Sequence, residues 1–310
     1  MNLGKLVVSS SPHVHAELTT SKIMAWVLIA LAPAGVMGLW YYGLRAFVVM
    51  VVCVAACVLS EYAWQKLTHR PLTIGDLSAA VTGLMLAYNL PVTIPLWMAA
   101  VGGVFAIIVV KQFYGGLGCN IVNPALAGRA MMLASWPVAM TTWTLDGVTT
   151  ATPLALIKAG TLDQLPPLSH MLVGFMGGSL GETCKLALLI GFAILLWKKI
   201  ITWHVPVIYI LTVSVLCTLF GRGAPVADML AGGLFLGAIF MATDYATSPI
   251  TIKGKVIYAF GCGALTAVIR TWGGYPEGFT YAILVMNLTV PLIDRATKPR
   301  IFGEVKKHGK

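Results

Sequence analysis

Apolar residues fill this chain in long blocks, each closed by a short polar or glycine-rich break. The blocks run roughly 17–25 residues, the length at which a helix crosses a hydrocarbon core about 30 Å thick. Within such a core the backbone must satisfy its own hydrogen bonds, which a helix does. Ten segments follow, near 22–43, 45–66, 74–91, 95–113, 121–139, 183–200, 204–220, 226–243, 255–271 and 277–294. The pattern predicts an all-α polytopic membrane protein of about ten transmembrane helices. One long polar connection, 140–182, separates the fifth segment from the sixth; its tail, Met171 to Leu180, is apolar and glycine-rich, suited to dip into the membrane surface.

Composition agrees. Of 310 residues, 58% are apolar and 10% charged, with a mean hydropathy of +0.85; a soluble domain carries about a quarter charged residues. Met1 to Thr20 is polar and lacks the short apolar core and cleavage site of a signal peptide, so the first helix is expected to stay. The net charge of +10 would suggest nucleic acid on a soluble domain. Here placement gives another reason. With the N-terminus in the cytoplasm, Lys5, Lys22, Lys66, Arg70, Lys111, Lys198, Lys199, Lys253, Lys255, Arg295, Lys298, Arg300, Lys306, Lys307 and Lys310 fall on the cytoplasmic side. Arg45, Lys158, Lys185, Arg222 and Arg270 fall at the other face, and Arg129 inside a helix. That asymmetry is the positive-inside rule. It is expected to place both termini in the cytoplasm and the 140–182 loop on the periplasmic or extracellular face, with the bilayer rather than nucleic acid as the partner. Six scattered cysteines form no CxxC pair and read as small buried hydrophobes; no metal site is expected.

The two halves echo each other. Each has two long helices, an Asp-led segment rich in Gly and Ala (from Asp76 and from Asp228), and a helix ending in a basic residue and aromatics, Lys111-Gln-Phe-Tyr-Gly-Gly and Arg270-Thr-Trp-Gly-Gly-Tyr. Five helices per half is odd, so the halves are expected to be inverted, an arrangement that builds sites near the membrane midplane. The expected organisation is a cytoplasmic N-terminal segment 1–21, a first five-helix repeat 22–139, an extracytoplasmic loop 140–182, a second repeat 183–294 and a basic cytoplasmic tail 295–310.

Several residues bear chemistry. Asp76, Asp228 and Asp244 are acids at or near membrane depth, where an ionisable group costs about 2.5–3.5 kcal/mol on insertion scales and usually has a task. Binding a coupling cation and supporting a cofactor both fit; for Asp76 and Asp228, capping of a helix start fits as well. Glu182, in Gly178-Ser-Leu-Gly-Glu-Thr-Cys-Lys, reads as an ion or proton site or as a first-turn acid of the sixth helix. Asn123-Pro124 is a helix start, preceded by glycines that admit a ligand close to the backbone, and Arg129 lies on the following turns; together they suit an anionic ligand such as a phosphate or a reduced flavin ring, or else a structural turn with a buried Arg–acid pair. His13 and His15 have the spacing of a metal pair on a strand but no carboxylate or Cys partner, and read as surface or interface residues. The nine tryptophans mostly flank apolar blocks as an interfacial belt.

The loop segment Asp146-Gly-Val-Thr-Thr-Ala-Thr-Pro resembles the acceptor motif of membrane subunits with covalently linked FMN, in which a flavin transferase joins the FMN phosphate to the last Thr, here Thr152. The chemistry is reasonable: small neighbours such as Ala151 leave the backbone accessible, Pro153 stops a helix running through Thr152, and Asp146 is placed to orient the motif in the transferase. An ordinary polar loop with Asp and Thr turn hydrogen bonds is the alternative. Ser11-Pro-His, Gly75-Asp-Leu-Ser-Ala-Ala-Val-Thr-Gly-Leu-Met-Leu-Ala-Tyr-Asn-Leu-Pro, Lys111 to Pro124, Gly177-Gly-Ser-Leu-Gly-Glu, Met241-Ala-Thr-Asp, Arg270-Thr-Trp-Gly-Gly-Tyr-Pro-Glu-Gly and Asn287 to Arg295 extend the likeness over nearly the whole chain. In this order they resemble the NqrB/RnfD family, in particular its RnfD type. The family often has Ser-Gly-Ala-Thr where this chain has Thr149-Thr150-Ala151-Thr152.

The resemblance implies ten helices in two inverted five-helix repeats, similar to urea transporters. It implies a phosphoprotein-type flavin linkage at Thr152 and a second, noncovalent flavin (riboflavin or FMN) near the Gly-rich blocks, with Asn123 and Arg129 as candidates. It implies partners, the other membrane and peripheral redox subunits of an Rnf complex, and electron flow between ferredoxin and NAD coupled to Na⁺ or H⁺ movement, with Asp76, Glu182, Asp228 and Asp244 as ion-pathway candidates. No dinucleotide fingerprint or iron–sulfur cysteine cluster occurs in the sequence, so such steps fall to partner subunits and no complete active site is expected in this chain. A non-redox channel or transporter with the same repeat, and a passive scaffold, are the competing readings.

Overall fold

The computed structural model describes residues 19–145 and 148–299. His13, His15, Asp146 and the tail from Arg300 lie outside the described residues.

The first helix, α1 (Thr20–Leu67), covers two of the predicted segments, which meet at Gly43. There φ is 63° and ψ is −154°, a backbone open in practice only to glycine, so the apolar block turns back on itself where the sequence broke. A 3₁₀ turn (Ile74–Asp76) leads to α2 (Ser78–Tyr88); α3 (Leu96–Phe105) continues as a π-helix through Gln112. Asn123 caps α4 (Pro124–Ser135), with Pro124 in its first turn, and α5 (Pro137–Thr141) follows. The connection also holds a two-residue hairpin, in which β1 (Thr144–Leu145) and β2 (Val148–Thr149) pair antiparallel. Short helices α6 (Pro153–Ala159) and α7 (Leu168–Val173) complete it.

Next come α8 (Lys185–Trp197) and α9 (His204–Leu219). The segment expected as one helix over 226–243 is broken instead into α10 (Pro225–Leu230), α11 (Leu234–Leu236) and a π turn (Gly237–Met241), because Gly232 takes φ 66° between them. The last helices are α12 (Ile252–Trp272) and α13 (Phe279–Thr297). By length and composition, α1 and α12 are each able to cross a membrane. The outside of the bundle is apolar, with Trp40, Leu44, Leu219 and Leu292 all strongly exposed; a surface like this suits lipid rather than water.

Helix α1 packs on α2, α3 and α8, and α12 packs on α9 and α13. Close approach depends on missing side chains. A Cβ at Gly191 of α8 would stand 2.2 Å from the backbone oxygen of Ala30 in α1. Such small-residue contacts drive helix association in a bilayer.

Candidate functional site around Thr152

Thr152 is the N-cap of α6, and Pro153 occupies the first turn. Its Oγ1 accepts a hydrogen bond from the Ala155 amide at 3.3 Å. Thr152 is buried although its neighbour Ala151 is exposed. The side chain borders a small cavity of about 10 Å³ with Gly177, Gly178, Glu182, Lys185, Gly232 and Glu277.

The wall carrying Glu182 is the connection between α7 and α8. The Leu180 and Gly181 amides donate to the backbone oxygens of Leu90 (3.1 Å) and Tyr88 (3.0 Å) at the end of α2. A Cβ at Gly181 would lie 2.3 Å from the Tyr88 side chain, so glycine is required for the strand-like contact that sets Glu182 in place. The expected helix opening at Gly178–Lys185 is therefore corrected: α8 begins only at Lys185, and Glu182 precedes it.

Glu182 and Lys185, both buried, and the partly exposed Glu277 border the cavity, and the buried Arg129 pairs with Glu277. Arg129 of α4 donates through Nη1 to Thr280 Oγ1 (2.9 Å) and Asn89 Oδ1 (3.3 Å), and pairs through Nη2 with Glu277. Its guanidinium sits 4.8 Å over the Phe279 ring, and Nη1 is 3.8 Å from Glu182. Lys185 donates to the backbone oxygens of Glu182 and, at 3.1 Å, of Gly232. Burial, reinforced by the negative charge of Glu277, pushes the Glu182 carboxyl above the usual carboxylate range, while Arg129 opposes the rise. Around this cluster the hydroxyls of Thr150, Ser179 and Thr183, both carboxylate oxygens of Glu182 and Arg129 Nε are buried without a hydrogen-bond partner. Buried polar groups left unpaired are costly and call for an explanation.

The other sequence candidates fall elsewhere. Asn123 and Asp244 border a second cavity of about 90 Å³, together with Lys111 and Asn120. Asn123 donates to the Met241 backbone oxygen at 3.2 Å; Asp244 accepts from Thr247 Oγ1 at 3.1 Å and Asn120 Nδ2 at 3.5 Å. Of the two residues considered jointly from sequence, Asn123 thus borders the second cavity, while Arg129 pairs with Glu277 at the first. Asp76 caps α2 by accepting from the amide (2.8 Å) and hydroxyl (2.6 Å) of Ser78. Asp228 is buried and held by the Arg222 fork at 2.8 and 2.9 Å.

Sequence reasoning missed three partners. Glu277 and Lys185 became visible only when distant segments met. Lys111, counted among the cytoplasmic charges, is 2% exposed and pairs with Glu61 (2.9 Å) and Ser78 (2.6 Å). Its signal was available: Glu61 and Lys111 are opposite charges in separate apolar blocks, and charges at such depth pair with each other.

Residues 7–303 match the family model described as NQR2, RnfD, RnfE. The chain belongs to that family. It is 50% identical to the D-type subunit of the Na⁺-translocating ferredoxin:NAD⁺ oxidoreductase complex of Acetobacterium woodii, over all of both chains. It is 46% identical to the D-type subunit of the proton-translocating ferredoxin:NAD⁺ oxidoreductase complex of Clostridium ljungdahlii, over 96% of each. With the D-type subunit of the ion-translocating oxidoreductase complex of Stutzerimonas stutzeri it shares 38% identity over 92% of each.

Proposed function

We propose that this chain is the membrane redox subunit of an ion-translocating ferredoxin:NAD⁺ oxidoreductase of the Rnf type, carrying FMN as a phosphoester on Thr152. The names of its relatives support the complex. The observation that carries the cofactor is the set of unpartnered buried hydroxyls of Thr150, Ser179 and Thr183 close to Gly177 and Gly178, which border the cavity with Thr152 and fit a polar group that the chain was built to hold. Esterification replaces the Thr152 hydroxyl proton and leaves the oxygen able to accept from the Ala155 amide. Lys185, which lines the cavity, would supply a buried positive charge to the phosphoryl group, and the unpartnered hydroxyls of Thr150, Ser179 and Thr183 would supply donors. The flavin ring exchanges one or two electrons, and the surrounding charges tune it.

The second cavity, with apolar walls and the convergent polar groups of Lys111, Asn120, Asn123 and Asp244, has the character of a ligand site and is assigned to a noncovalent flavin, riboflavin or FMN. Two inverted five-helix repeats accord with matching contacts: Lys111 reaches Ser78 near the start of α2, and Arg270 reaches the Asp228 backbone oxygen in α10. The charge distribution supports an inner-membrane orientation with Thr152 outside and both termini inside. The coupled ion is Na⁺ or H⁺.

The test is fluorescence of the denatured chain on a gel after co-expression with a flavin transferase. Thr152→Ala is expected to be dark and the native chain fluorescent. A dark native chain removes the flavin reading in favour of a channel or scaffold; a fluorescent Thr152→Ala moves the attachment elsewhere.

A further inference from the structure

Glu182 is 2% exposed, and neither carboxylate oxygen has a hydrogen-bond partner, although the residue lines the cavity that holds Thr152. The fold makes room for it: a Cβ on Gly233 would stand 2.1 Å from Oε1. No charged group facing it donates a hydrogen bond to its carboxylate. Arg129 of α4, 3.8 Å away, is engaged by Glu277, Thr280 and Asn89. Lys185 of α8 donates to backbone oxygens. Glu277, ahead of α13, repels the carboxylate, and the phenol of Tyr42 in α1 also lies within its field. An acid in this position is poised between its two protonation states.

We infer that Glu182 is a redox-linked proton site, taking up one proton when one electron is added to the group on Thr152 and releasing it when the electron leaves. The inference rests on the reading of Thr152 as the flavin acceptor. The electron comes from a one-electron carrier, which is oxidised, and the proton from hydronium of the aqueous phase, whose O–H bond breaks to leave water; an O–H bond forms on Glu182, and the net charge of the cavity is unchanged. Neutralisation matters here because a charge added in a low-dielectric cavity is weakly screened. A proton fits where a metal cation does not. A hard cation needs a shell of several oxygens, whereas the Glu182 carboxylate is approached by a guanidinium at 3.8 Å.

The experiment uses the full-length chain purified from its host, its flavin first confirmed by gel fluorescence, titrated spectroelectrochemically over a range of pH. A tenfold change in proton concentration is worth about 59 mV for one electron and one proton. The flavin midpoint is expected to fall with rising pH, with a shallower slope in Glu182→Gln and a native-like slope in Glu182→Asp. Redox-difference infrared spectra of the native chain are expected to gain a protonated-carboxyl band on reduction that shifts with ¹³C-glutamate labelling, a readout that needs no variant to fold. An unchanged slope in Glu182→Gln, a midpoint that follows Na⁺ concentration and not pH, or a reduced state without the labelled band would overturn the inference while leaving the flavin attachment standing. Absence of the flavin on the gel would overturn the attachment, and this inference with it.

Discussion

Replacing Arg129 with Met is the sharpest test of the buried charge cluster. Met keeps much of the length and removes the charge. The change deletes the pair with Glu277, the hydrogen bonds to Thr280 and Asn89, and the contact over Phe279. It also leaves Glu182, 2% exposed, without its nearest cation, and Glu277, 17% exposed, without its partner. Breaking a buried pair by removing one member costs about 3–5 kcal/mol, mostly through the charge left behind. At roughly 2–4 °C per kcal/mol for chains of a few hundred residues, the apparent Tm in detergent should drop by roughly 6–20 °C. The loss should depend on pH. Without Arg129 the folded-state Glu182 carboxyl rises further above its unfolded value. An acid raised in this way costs nothing below its unfolded value, costs progressively more as pH climbs to the folded value, and costs a constant amount above it. The deficit should therefore be larger near about pH 8 than near about pH 6. Thermal scans of both proteins at the two pH values measure this. A Tm within about 2 °C of native at both would refute the argument that these charges are desolvated and interdependent.

Other outcomes follow from single contacts. Gly191→Ala should sharply lower the yield of folded protein, because its new methyl meets the backbone of Ala30 and not a movable side chain; size-exclusion yield checks it. Asp228→Ala and Arg222→Ala should each lower Tm, and the double variant by much less than their sum, since the two form one fork; a double-mutant cycle reads the coupling. Thr152→Ala should lose about 0.5–2 kcal/mol of stability from the α6 cap besides its fluorescence, whereas Thr152→Ser should keep the cap; Tm in detergent separates them. Glu61→Gln should destabilise by leaving Lys111 buried and unpaired, and Lys111→Met should relieve part of that loss in the double variant, as thermal scans would show.

Local signals were readable in the sequence. Gly43 between two apolar blocks marked a reversal, Asn123-Pro124 a helix start, and Thr152-Pro153 the end of a loop, because each is a property of adjacent residues. The break at Gly232 was hidden, since a glycine within an apolar run is equally at home in an intact helix. Thr152 and Glu182 were singled out separately, but nothing in either segment shows that they share a cavity. That depends on the Leu180–Gly181 backbone docking against Tyr88 and Leu90, a contact between stretches some ninety residues apart. Arg129 and Asn123 sit on one helix, and proximity along it suggested one site; instead Asn123 borders the second cavity and Arg129 joins the charges of Glu182 and Glu277. Lys111 shows the limit of counting charges by position: its partner Glu61 lies on α1, and only packing brings them together.

The central claim is that Thr152 carries the flavin. Peptide mass spectrometry of the chain purified from its natural host measures it directly. The account predicts a Thr152-containing peptide bearing a flavin mononucleotidyl group, with fragmentation assigning the linkage to that residue. An unmodified peptide, or the group on a different residue, would contradict it.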